Sequence, residues 1–121
     1  MEKVKRFEDL EIWKLAISLA QDLWSIFYAS WFKNFSFQDQ IMRACISIGN
    51  NIAEWFEAWF NKEFIKFLYY SKRSSWEVRS MLYLAKRFWY IDEVSFTDFS
   101  NKTITIAVKI HNLITYLNKL K

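Results

Sequence analysis

Residues 62–87 concentrate positive charge. Lys62, Lys66, Lys72, Arg73, Arg79, Lys86 and Arg87 stand against only Glu63 and Glu77, seven against two, a net of +5 in a chain whose overall charge is +4. Lys72, Arg79 and Lys86 recur every seven residues, so on a helix they form one stripe. Lys3, Lys5 and Arg6 add a basic arm. A stripe of this kind neutralises phosphates, and the counterions released make such binding depend on salt. The candidate nucleic-acid-binding residues are therefore Lys66, Lys72, Arg73, Arg79, Lys86 and Arg87. A solvated helix face is the competing reading of the same charges.

Other chemistry finds little support. His111 is the only histidine, and the residue three before it is Val108, so the Glu-x-x-His signature of di-iron bundles is absent. A single cysteine, Cys45, excludes a disulfide scaffold and a cysteine zinc site. It falls on an apolar helix seam, where cysteine behaves as a small hydrophobe. Glu54 and Glu57 lie one turn apart without a second carboxylate pair to complete a metal site. Gly49 is the one glycine, too few for a phosphate-cradling loop. Ser71 and Ser75 have no histidine placed to activate them. They read as small residues at a close helix approach, each hydroxyl bonded to backbone one turn back. No catalytic residue, metal or cofactor is expected, and the chain is not expected to be an enzyme.

Four elements must position the basic stripe. Apolar residues recur at steps of three and four in each. The first set is Leu10, Trp13, Ile17, Ala20, Trp24 and Phe27. The second is Ile41, Cys45, Ile48, Ile52, Trp55 and Trp59. The third is Phe64, Leu68, Ser71, Ser75, Val78, Leu82 and Ala85. The fourth is Phe99, Thr103, Ile106, Ile110, Leu113, Leu117 and Leu120. That spacing puts each set on one helix face. Breaks at 30–36, 59–61 and 88–95 are short and polar, which makes sequential helices antiparallel neighbours. The expected fold is all-α, an antiparallel up-down four-helix bundle forming a single domain over 1–121. Asn61 with Glu63 reads as the start of the third helix. Glu8, Asp9 and Glu11 read as its counterpart on the first, and Lys119 and Lys121 close the fourth.

Composition sets the outer bounds. The chain has 121 residues, 53% hydrophobic and 25% charged, which excludes a disordered tail. No apolar run approaches the roughly 18 residues that span a bilayer, and no apolar segment follows the basic start as in a signal peptide. A cytoplasmic protein without membrane contact is expected. Phe32, Phe35, Phe56, Phe60, Tyr69 and Tyr70 exceed what one four-helix core holds. Phe56, Phe60, Tyr69 and Tyr70 are the candidate interface of a homo-oligomer. Base stacking on these rings is the alternative.

Several segments also carry a family likeness. They are Phe7-Glu-Asp-Leu-Glu-Ile-Trp13, Phe37-Gln-Asp-Gln-Ile41 with Arg43-Ala44, Ser47-Ile-Gly-Asn-Asn-Ile-Ala-Glu54, Asn61-Lys-Glu-Phe64 with Phe67-Leu68, then Ser74 and Glu77. Together they resemble the bacterial four-helix-bundle family first noticed as reading frames inside intervening sequences of large-subunit ribosomal RNA genes. The resemblance implies a ring, with a homopentamer favoured, and no established enzymatic activity. It extends to the accessory subunits of diversity-generating retroelements, which implies nucleic acid and a reverse transcriptase as partners.

The departures from that pattern share one form. Trp31, Trp55, Trp59, Trp76 and Trp89 occupy positions suited to glycine or another small residue, in a chain with seven tryptophans, one glycine and no proline. A gene that reads UGA as glycine, translated with UGA as tryptophan, accounts for this. Aromatic engineering of an interface is the rival account. Trp89 follows the third helix at a position suited to a left-handed cap, so either a strain of roughly 1 kcal/mol for a residue other than glycine or a helix end that runs on differently is expected.

Overall fold

The computed structural model describes residues 4–58 and 64–120. With no proline to interrupt them, four helices form: α1 (Glu11–Phe27), α2 (Phe35–Glu57), α3 (Ile65–Arg87) and α4 (Glu93–Lys119), preceded by a 3-10 turn at Phe7–Asp9. No strand occurs among the described residues. Each helix packs against two others: α1 on α2 and α4, α3 on α2 and α4. This is the expected antiparallel four-helix bundle.

Its buried side chains form one cluster. Leu19, Leu23 and Phe27 of α1 meet Ile41, Ile48 and Ile52 of α2, Leu68, Val78 and Leu82 of α3, and Ile106 and Ile110 of α4, all almost fully buried. Each such side chain contributes about 1.5–3 kcal/mol by leaving water. The seams of α2 and α3 lie where the spacing puts them. That of α1 does not. Ile12, Ala16, Leu19, Leu23 and Phe27 are its buried residues, and Trp24, expected inside, is 56% exposed and stacked on Tyr28 at 3.9 Å. α1 is apolar on two adjacent stripes, and the narrower aliphatic stripe faces the core while the bulkier tryptophan stays outside. On α4, Phe99, Thr103, Ile106 and Ile110 are buried, whereas Leu120 is exposed.

Helix ends differ from the sequence expectation in three places. Glu8 and Asp9 lie in the 3-10 turn, and only Glu11 is in the first turn of α1. α2 begins at Phe35, within the expected break, because the Asn34 side chain accepts the Phe37 amide at 3.1 Å. α4 begins at Glu93, where Asp92 accepts the Ser95 amide at 2.7 Å. Phe32 is also a correction. It is buried in an aromatic cluster with Phe27, Phe37 and Tyr90, so it needs no interface. The serines on α3 divide. Ser75 bonds back to the Lys72 carbonyl at 2.6 Å as expected, but Ser71 reaches across to the Ile48 carbonyl of α2 at 2.8 Å.

Of the two outcomes expected at the end of α3, the strained left-handed cap is the one it adopts. Trp89 has φ 64°, and it is the one positive-φ residue among those described. The Tyr90 amide bonds the Ala85 carbonyl at 2.8 Å and the Trp89 amide bonds that of Lys86 at 3.1 Å, the paired bonds of a Schellman motif. The expectations placed on Lys3, Trp59, Phe60, Asn61, Lys62, Glu63 and Lys121 lie outside the described residues.

Candidate nucleic-acid interface

α3 has a buried side and two flanks, and the side chains that remain outside sort by flank. Lys72, Arg79 and Lys86 lie on the flank toward α4. Lys72 Nζ is 2.9 Å from His111 Nδ1 on α4. Lys86 pairs with Glu93 at 2.9 Å and sits 4.6 Å above the Phe96 ring. Arg79 lines the α3–α4 groove with Lys72, Ser75, Trp76, Ile104, Val108 and His111. At 1.5 Å per residue the Lys72–Lys86 row is about 21 Å long.

The other three candidates are less closely joined. Arg73 is exposed and lies 5.7 Å over the Tyr70 ring. Lys66 lies 5.4 Å over Phe67 near the start of the helix. Arg87 joins Lys86 in a depression shared with Tyr83, Trp89, Asp92 and Glu93. The two carboxylates there offset the two cations. Among the described residues no carboxylate lines the groove around Lys72 and Arg79, whereas Asp92 and Glu93 line the depression at Lys86.

A second row escapes the charge pattern. Tyr69, Trp76 and Tyr83 are also spaced by sevens and all three are exposed. They run beside the cations: Lys72 lies 5.2 Å over the Trp76 ring, and Trp76, Arg79, Ser80 and Tyr83 share one depression. The signal for this row is the same heptad spacing that reveals the cations. Among the candidate interface residues, Tyr69 therefore belongs to this face. Tyr70 is exposed beside Phe67 and Arg73. Phe56 is half-buried, packed on the core beside Trp55.

Burial, with a smaller effect from the Asp22 charge, pushes the Cys45 thiol up to about 12, so it remains protonated in the core. No group of three metal-ligating side chains gathers among the described residues. No helix there is long and apolar enough to cross a membrane.

A family pattern described as 23S rRNA-intervening sequence protein matches residues 8–112, most of the chain and nearly all of the four helices. The chain belongs to the 23S rRNA-intervening sequence protein family. Among solved structures, a protein of unknown function from the S23 ribosomal protein family of Bacteroides thetaiotaomicron VPI-5482 superposes with a TM-score of 0.80. The two are 24% identical, and the match covers 86% of this chain and 95% of that one. At that identity the likeness establishes the shared bundle. No curated protein matches the chain.

Proposed function

We propose that this member of the family is a non-enzymatic adaptor that binds single-stranded nucleic acid along α3 and its groove with α4, and that it does so as a homo-oligomer. The observation that carries the reading is the Lys72–Arg79–Lys86 row on α3 beside exposed Tyr69 and Tyr83, two aromatic rings that stand whatever residue occupies position 76. Cations track a phosphate backbone without reading sequence. Aromatic rings stack unpaired bases, at about 1–3 kcal/mol per base. A face kept basic only for solubility has no use for exposed rings among its charges.

Titrating a labelled single-stranded oligonucleotide at two salt concentrations tests this. Affinity falls steeply as salt rises, and Lys72→Gln with Arg79→Gln lowers the slope of log K against log salt by about 1.4 for a single strand. Tyr69→Ala weakens binding while leaving the slope unchanged, which separates stacking from charge. Absence of binding at low salt overturns the reading and leaves a scaffold.

Self-association is supported by a different surface. The stacked Trp24–Tyr28 pair is exposed at the end of α1, and Tyr28 shares a shallow groove with Met42 and exposed Ile46 of α2. Light scattering at micromolar concentration distinguishes a ring, with a pentamer favoured, from a monomer. A reverse-transcriptase accessory role is the alternative that the basic face also serves. A reverse-transcriptase gene beside this one would favour it.

A further inference from the structure

The Lys72–His111 contact has a consequence for what the α3–α4 groove holds. Lys72 comes from α3 and His111 from α4, and their nitrogens are 2.9 Å apart. A lysine ammonium has donors and no acceptor. With Lys72 donating, His111 Nδ1 is the acceptor, which assigns the ring proton to Nε2. This arrangement exists only while the imidazole is neutral. Once protonated, both ring nitrogens are donors, and two cations face each other across the groove with Arg79 as a third. Ser75 and Thr103, also in the lining, donate their hydroxyl protons to the carbonyls of Lys72 and Phe99 and bring no negative charge to offset that repulsion. Lys72, Arg79 and His111 are the charged and titratable groups lining the groove, with Trp76, Ile104, Ala107 and Val108 as its less polar walls. Its volume is about 250 Å³.

We propose that this groove is a phosphate subsite, in which one phosphodiester of a bound single strand is held between Lys72, Arg79 and a protonated His111. The inference rests on the nucleic-acid reading and sharpens it to one place and one charge state. A phosphate oxygen entering between Lys72 and His111 accepts from both, replacing the Lys72–His111 contact with two charge-assisted bonds. Arg79 offers its planar fork to the same phosphate. Binding then favours the imidazolium, so the complex takes up a proton, and affinity rises as pH falls through the range in which histidines titrate. The chain has no other histidine, and an α-amino group, which also titrates near this range, is told apart by a gain that survives in His111→Gln.

The test uses the full chain and a labelled oligothymidylate, whose bases keep their charge across this range. Affinity is measured by fluorescence anisotropy at about pH 7.5 and about pH 5.5, at one low salt concentration. The unaltered protein gains about threefold or more on acidification, the order of one exposed ionic contact. His111→Gln loses that gain, and circular dichroism checks that it folds. Binding that responds to salt but is the same at both pH values overturns the subsite and leaves the wider reading standing. So does a gain that His111→Gln retains. Absence of binding at either pH overturns both.

Discussion

The Tyr90 amide reaches back to the Ala85 carbonyl at 2.8 Å, and the chain between them turns through Trp89 at φ 64°. The hydrogen bonding is that of a glycine cap, with tryptophan in the glycine's place. Its side chain is 91% exposed, so packing does not offset the backbone strain. Trp89→Gly is expected to stabilise the bundle by about 1 kcal/mol, raising Tm by about 3–5 °C, measured by thermal unfolding. Trp89→Ala keeps a Cβ in the left-handed region and brings little of that gain. The coding DNA supplies a separate check: UGG codons at 31, 55, 59, 76 and 89 would end the glycine-codon account of those tryptophans.

The offset on α1 is tested by neighbouring residues. Leu23 is fully buried and Trp24 stands outside on Tyr28. Leu23→Ala should cost about 2–5 kcal/mol through lost burial and a residual cavity. Trp24→Ala gives up one exposed stacking contact, worth about 0.5–1.5 kcal/mol. Urea unfolding of both variants ranks them, and an equal or larger loss at Trp24 would show that the first seam read from the sequence faces the core.

How much of this could be read in advance depended on how many stripes a helix offered. α2 and α3 carry one aliphatic stripe each, and Ile41, Ile48, Ile52, Leu68, Val78 and Leu82 are buried where three-and-four spacing puts them. α1 offers two apolar stripes, and spacing alone does not choose between Leu23 and Trp24, because both are apolar. The start of α2 was hidden because Phe35 and Ser36 follow a polar stretch, and only the Asn34–Phe37 bond shows the helix beginning there. The cationic row on α3 is legible because Lys72, Arg79 and Lys86 are local to one helix. The His111 partnership is not, since the residue that Lys72 meets lies 39 positions away. It depends on how α3 and α4 pack.

Acid should weaken the fold through two helix ends. Asp92 accepts the Ser95 amide, and that bond holds its carboxyl below the ordinary aspartate range. On α1, the hydrogen bond from Lys109 at 2.8 Å, with the lysine's charge, does the same to Glu11. A carboxyl that is more acidic folded than unfolded stabilises the fold above its unfolded pKa. That contribution disappears as pH falls through the folded value. Tm is therefore expected to drop below about pH 4. Asp92→Asn keeps a capping oxygen without the titration, so with Glu11→Gln it flattens the acid limb. Asp92→Ala lowers Tm at neutral pH as well. An acid limb unchanged in the Asp92→Asn, Glu11→Gln double variant would place the sensitive groups elsewhere.

The contact between α2 and α3 depends on a small residue with a donor. Ser71 is fully buried, and its hydroxyl crosses to the Ile48 carbonyl at 2.8 Å. One turn on, Ser74 donates to Ser47 at 2.9 Å. Ser71→Ala removes one buried bond and should cost about 1 kcal/mol. Ser71→Leu adds apolar volume to the same seam. If the helices merely needed apolar cover there, leucine would stabilise them. If their spacing is set by the serine, leucine forces them apart and costs about 1–3 kcal/mol by overpacking. Chemical denaturation should therefore rank native above Ser71→Ala and both above Ser71→Leu. A leucine variant as stable as the native chain would show that the seam is loose enough to accept the larger side chain.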